Sequence, residues 1–212
     1  VPFQLVAGSD TTASAIRGTM LHLAATRHAY AKLQNEIDTA IAQGRISNPI
    51  TGEEAKKLKY LQVTVIYEGM RMQPPFSGLV MKQAPPEGDT LPNDGQFVIP
   101  GGTRVAQNTL AMMRRRDIFG ADADVFRPER WLLNNAPEQR LRMVQTVEFV
   151  FGHGRWGCLG RPVAFLELNK VFVELLRRFD FEILNPKRPR REANFNMFFH
   201  SELWMRVTER GA

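Results

Sequence analysis

The ten residues from Phe151 to Gly160, Phe-Gly-His-Gly-Arg-Trp-Gly-Cys-Leu-Gly, contain four glycines and the chain's one cysteine, Cys158. Glycine is used at that density where a backbone must take unusual dihedrals or let a neighbour come close. An amphipathic pattern follows at once. Pro162 suits a first helical position, and Ala164, Phe165, Leu168, Val171, Phe172, Leu175, Leu176 and Phe179 mark one buried face. A thiol therefore stands just ahead of a helix N-terminus, where backbone N–H groups and the helix dipole favour the thiolate. Such a sulfur can ligate an iron, act as a redox thiol or nucleophile, or sit in the core as a small hydrophobe. His153 and His200 are the available bases, but no Cys-His-Asp signature surrounds them and no zinc-ligand spacing is present.

The 212 residues suffice for one domain. A hydrophobic share of 43% with 24% charged residues describes a globular chain and not a disordered one. A lone cysteine excludes an intrachain disulfide. The formal net charge of +6 is concentrated in Arg114–Arg116 and Lys187–Arg191. These clusters are short and poor in aromatics, and the second is broken by Pro189, which argues against nucleic acid as a partner. No apolar run reaches the ~18 residues of a membrane span, and no secretory signal is visible. The chain opens on Val1 in what reads as the middle of a helix, so a fragment or truncated product is expected.

Helical patterns run from Val1 to about Arg27, from His28 to Gln43 and from Thr51 to about Arg71. Leu33, Ile37, Ala40 and Ile41 form the second helix's stripe, with Gly44 as its cap. Thr51 and Glu54 form a capping-box pattern. The β-branched run Val63 to Tyr67 favours a strand, but the cap and the Leu58, Leu61, Val65 spacing favour helix. Phe97 to Ile99, Pro100-Gly101-Gly102 and Thr103 to Ala106 read as strand, turn, strand. Pro128 and Pro137 argue against long elements nearby, and Asn194 to Val207 reads as a hairpin or loop–strand pair. The expected class is mainly α with small β-sheets.

Two further spacings stand out. Glu68 and Arg71 are three apart, on one helical face. Ala7-Gly8-Ser9-Asp10-Thr11-Thr12 places Gly, Asp and Thr inside a helix, although these residues prefer its ends. Read locally, it is a helix start capped by Ser9 or Asp10.

Together these segments resemble the cytochrome P450 family, in its fungal, microsomal-type, pisatin-demethylase-like form. Phe151, Gly152, Gly154, Cys158 and Gly160 match the haem-binding loop, and Ala164 and Glu167 continue it. Glu68 and Arg71 match the Glu-x-x-Arg motif, with Arg130 of Phe126-Arg127-Pro128-Glu129-Arg130-Trp131 as its buried third member. Ala7 to Thr12 matches the motif of the helix that crosses the distal face. One position departs. Trp156, two before the cysteine, replaces the Arg or His that pairs with a haem propionate, and Arg155 stands beside it.

The resemblance implies the C-terminal half of the P450 fold, an incomplete domain over residues 1–212. It would run from the end of helix I through helices J and K, the cysteine loop and helix L to the C-terminal β region. It implies iron protoporphyrin IX ligated by the Cys158 thiolate, with Phe151 shielding the sulfur and Gly154 and Gly160 letting the flat macrocycle lie close. Arg155, Trp156, Lys82, Ala7 and Gly8 would complete the haem contacts, Gly8 opening a groove for dioxygen. Thr11 would hydrogen-bond the iron-bound oxygen, and Asp10 would help relay protons. Glu68, Arg71 and Arg130 would be structural, and Phe76, Leu79, Phe198 and Phe199 would contact an apolar organic substrate. It further implies an NADPH-cytochrome P450 reductase-type flavoprotein, which Arg155 and Arg161 would help dock. Placement on the cytosolic face of the endoplasmic reticulum would come through an N-terminal anchor outside this chain. The alternative is a truncated, non-enzymatic product that keeps the haem-ligating loop without turnover.

Overall fold

A computed structural model describes residues 2–91, 97–133 and 136–211; Val1, from which the first helix is expected, lies outside them. Helix α1 (Pro2–Ala25) runs through Gly8 and Gly18. Helix α2 (Arg27–Ala42) buries Ala29, Leu33, Ile37 and Ala40. Ile41, expected on that stripe, is exposed, because it lies one residue, about 100° of helix, past Ala40. Gly44 has φ +62° and donates its N–H to Ile41 O at 2.9 Å, the left-handed termination expected of it.

The expected third helix is broken. Helix α3 (Gly52–Ala55) opens on Thr51, whose Oγ1 accepts from Glu54 N–H while Glu54 Oε2 accepts from Thr51 N–H. After a turn come α4 (Lys59–Leu61), a π-helix over Gln62–Gly69 and α5 (Met70–Met72). Val63, Thr64, Val65 and Ile66 are all buried. A segment enclosed on every side is held by packing, and β propensity carries little weight there.

Strands β1 (Lys82–Gln83), β2 (Asp89–Thr90), β3 (Val98–Ile99) and β4 (Arg104–Val105) form two nested antiparallel pairs, β2 with β3 inside β1 with β4. The strand–turn–strand expected around Gly101 exists, but its two strands do not pair with each other. Helices α6 (Thr109–Met112) and α7 (Arg116–Phe119) lead to a 3-10 turn at Pro128–Trp131. Helix α8 (Pro137–Glu148) corrects the expectation about Pro137, which opens twelve helical residues from the first turn, where its missing N–H costs nothing. Two further 3-10 turns, Phe149–Phe151 and Gly154–Trp156, precede α9 (Arg161–Leu176). Strand β5 (Phe179–Ile183) pairs with β8 (Met205–Glu209), and β6 (Arg191–Asn194) with β7 (Phe198–Ser201), as antiparallel ladders.

The core lies where α1, α2, the π-helix and α9 meet, around Leu23, Leu33, Leu61, Ile66, Phe172 and Leu176. Helix α9 buries Leu168, Phe172, Val173 and Leu176, whereas Ala164, Phe165, Val171 and Leu175 are half-buried. Two glycines let α1 approach closely. A Cβ on Gly18 would stand 2.5 Å from Gln73 Cγ, and one on Gly69 would overlap Thr19 Oγ1. That contact brings the N-terminal part of α1 over the cysteine loop.

Candidate functional site

The loop owes its shape to two glycines. Gly152 has φ +74° and Gly154 φ +58°, and a Cβ on Gly152 would also meet Trp156 O at 2.8 Å. The turn closes when Cys158 N–H donates to Phe151 O at 2.7 Å. Gly160 is different. Its φ of −79° is open to any residue, and a Cβ there would only touch Cys158 Sγ at 3.7 Å. The chain itself does not demand glycine at 160, so the space beside the sulfur is left for something else. The thiol is exposed.

Cys158, Phe151, Val150, Ala164 and Leu168 form one wall of a cleft of about 390 Å³. Val6, Ala7, Asp10, Thr11, Thr12 and Ala15 of α1 form the wall opposite, and Met70, Pro75, Phe76 and Met197 line the remainder. Thr11 Oγ1 donates to Ala7 O at 2.8 Å, so its hydroxyl has spent its proton and keeps acceptor capacity. Asp10 is exposed in the same cleft.

One residue of helix rotates by about 100°, and Gly8 lines the groove between α1 and α9 with Ser9, Ile16, Leu166 and Lys170 instead of the cysteine cleft. Leu79, Phe198 and Phe199 are also not among the residues lining that cleft, whereas Phe76 is. The wall missed by sequence reasoning is Met197. Asn196, at φ +64°, accepts N–H bonds from Ser77 and Gly78 at 2.9 Å, and Phe76 bridges to Met197. The tip of the β6–β7 hairpin thus reaches the cleft ahead of Phe198. The resemblance points to Phe198 and Phe199 in this segment, and nothing local in the sequence reports which residue a turn presents.

A second groove adjoins the loop. Lys82, Arg155, Trp156 and Phe149 line it together. The Arg155 guanidinium lies 4.8 Å from the Trp156 ring centre. An apolar slot beside a thiol, continued by two cations and an indole N–H, suits a flat apolar group with an anionic edge.

Beneath the site Glu68 is completely buried and accepts five hydrogen bonds, from Arg71 Nε and Nη2, Arg130 Nε, Trp131 Nε1 and Arg127 N–H, at 2.8–3.1 Å. Arg71 Nη1 donates on to Met113 O, and Arg130 reaches Val125 O and Asp122 Oδ1. Burial alone would raise the Glu68 pKa; the Arg71 hydrogen bonds and the charges of Arg71 and Arg130 outweigh it and hold the carboxyl below its ordinary value. Trp131 and Asp122 belong to this network without any signal in the Glu-x-x-Arg spacing. Close by, His22 stacks on Phe126. Burial, then the Arg190 and Arg114 charges, lower its pKa to about 4, so it is neutral at pH 7.

Fold and site define a mainly helical protein with a lone thiol facing an apolar cleft, and with Lys82 and Arg155 in a neighbouring groove. The cytochrome P450 family profile matches residues 1–203. The chain is 51% identical over 212 residues to cytochrome P450 monooxygenase ABA1 of Pyricularia oryzae, covering 99% of this chain and 40% of that protein. It is 44% identical over 207 residues to cytochrome P450 monooxygenase aba1 of Botryotinia fuckeliana, covering 98% of this chain and 40% of that protein. It superposes on the crystal structure of a cytochrome P450 (CYP102L1) with a TM-score of 0.77 and 27% identity, covering 98% of this chain and 44% of the other. The chain belongs to the cytochrome P450 family, and spans about two fifths of the length of these curated relatives.

Proposed function

We propose that this chain is the haem-ligating part of a monooxygenase that inserts one atom of dioxygen into a small, apolar organic substrate. The other atom leaves as water, with two electrons and two protons consumed. The observation that carries the reading is the exposed Cys158 thiol facing Ala7, Asp10 and Thr11 across an apolar cleft. Among the described residues no three His, Cys, Asp or Glu side chains converge on a point. An iron here needs its remaining ligands from a macrocycle, and a single thiolate then suffices. When bound, the haem supplies the activation of dioxygen.

The roles of the chain's own residues follow from their chemistry. Cys158 would hold the haem iron through its sulfur, and the Phe151 ring, which lines the same cleft, would shield that sulfur once the group is bound. Lys82 and Arg155 neutralise the anionic edge of the macrocycle, and Trp156 Nε1 donates a hydrogen bond there without charge. Thr11, with its proton given to Ala7 O, accepts a hydrogen bond on the α1 side. Asp10, exposed in the same cleft, passes protons inward from water. Phe76 and Met197 bound the substrate with apolar surface. The electrons come from an NADPH-dependent flavoprotein reductase. Among the described residues no helix is long and apolar enough to cross a membrane.

The test loads the protein with haem and supplies reductase, NADPH and isotopically labelled dioxygen with a panel of small apolar substrates. One labelled oxygen atom in a product is the expected result. Haem that binds and is reduced, without any labelled product, favours the truncated, non-enzymatic reading.

A further inference from the structure

Resting on that reading, we propose that Arg161 is a positioning residue for the cysteine ligand, acting with Glu148 to hold the Phe151 ring and to set the charge that the ligand experiences. Arg161 is the first residue of α9, and Glu148 the last of α8. Arg161 Nη2 reaches Glu148 Oε2 at 2.7 Å, so the pair ties together the two ends of the loop that carries Cys158. The same guanidinium lies 5.8 Å from the Phe151 ring centre and 5.4 Å from that of Phe165, and the two rings are 5.4 Å apart. A solvated surface arginine has neither constraint. The residue it stacks on is also the one whose carbonyl receives the Cys158 N–H at 2.7 Å. Displacing Phe151 therefore moves both the ring beside the sulfur and the backbone that carries it.

The pair also has a sign. One electron, accepted from the reduced flavoprotein, adds one unit of negative charge at the Cys158-ligated centre. A nearby cation stabilises that state and a nearby anion opposes it, and the balanced pair nearly cancels. Opposite consequences follow from removing either partner. Arg161→Gln leaves Glu148 unpaired and disfavours electron uptake. Glu148→Gln leaves Arg161 unpaired and favours it.

The experiment is a redox titration of the haem-loaded protein and these two variants, with Arg161→Lys as the conservative control. Arg161→Gln is expected to lower the midpoint potential and Glu148→Gln to raise it, each by roughly threefold to tenfold in the reduced-to-oxidised ratio, where tenfold is about 59 mV for a one-electron couple. Arg161→Lys keeps the charge but loses the planar stacking, and is expected to recover most of the potential lost in Arg161→Gln. Shifts of the same sign in both Gln variants, or no shift while the thiolate spectrum is intact, overturn the inference alone. An unsubstituted protein that takes up no haem through Cys158 overturns the underlying reading, and the inference with it.

Discussion

Glu68 is the residue on which most polar satisfaction converges. Its two oxygens accept five hydrogen bonds in a site with no water-facing surface, and they pair with two buried arginines, one of which, Arg130, is shared with Asp122. Such a network contributes little while complete and becomes costly when one member is removed. Glu68→Gln keeps the shape and deletes the charge, leaving Arg71 a buried cation without its carboxylate and Arg130 with Asp122. A loss of ~3–5 kcal/mol is expected in a urea denaturation series, enough to unfold a marginal protein; a loss below ~1 kcal/mol would contradict the account. The carboxyl's depressed pKa also fixes the direction of its pH dependence. Its contribution is complete above the ordinary value of 4.5, and is lost as pH falls below that value through the folded one. The amide introduced by Glu68→Gln cannot titrate, so this share of the acid sensitivity should vanish with the substitution.

Among elements, the decisive contact is α1 against the π-helix. It carries Ala7, Asp10 and Thr11 to their place opposite the thiol, and it is close because Gly69 has no Cβ to meet Thr19, just as Gly18 has none to meet Gln73 beyond α5. Gly69→Ala would drive a methyl into Thr19, and overpacking of this kind costs ~1–3 kcal/mol. A lowered denaturation midpoint is expected; an unchanged one would show that the helices part freely. This is also the scale at which the sequence was least legible. Capping at Thr51, the glycine end of α2 and the start of α9 were readable because each depends on a few neighbouring residues. The π-helix over Gln62–Gly69 and the nested pairing of β1 to β4 were not, because burial and distant partners decide them. Pro137 was misread as a breaker, since the same residue stops a helix interior and suits a helix start. Helix phase decides which of Ala7, Gly8 and Asp10 line the cysteine cleft, and the backbone path of the β6–β7 turn decides that Met197 does; residue type alone reports neither.

For the molecule as a whole, the helical core and the buried arginine network form a base on which two walls stand, α1 on one side and the cysteine loop on the other. Neither wall closes on the other, and the cleft between them is apolar, with Lys82 and Arg155 at the adjoining groove. Family membership is readable from short motifs, because each is a local run of a few residues: the cysteine loop, Glu68 with Arg71, the segment around Arg130, and Ala7 to Thr12. The central claim is that Cys158 binds haem iron as a thiolate in that cleft. Its most direct test is the difference spectrum of the reduced, carbon-monoxide-treated, haem-loaded protein beside that of Cys158→Ala. The account expects the red-shifted Soret band of thiolate-ligated haem in the first and its absence in the second; the same band in both, or in neither, would contradict it.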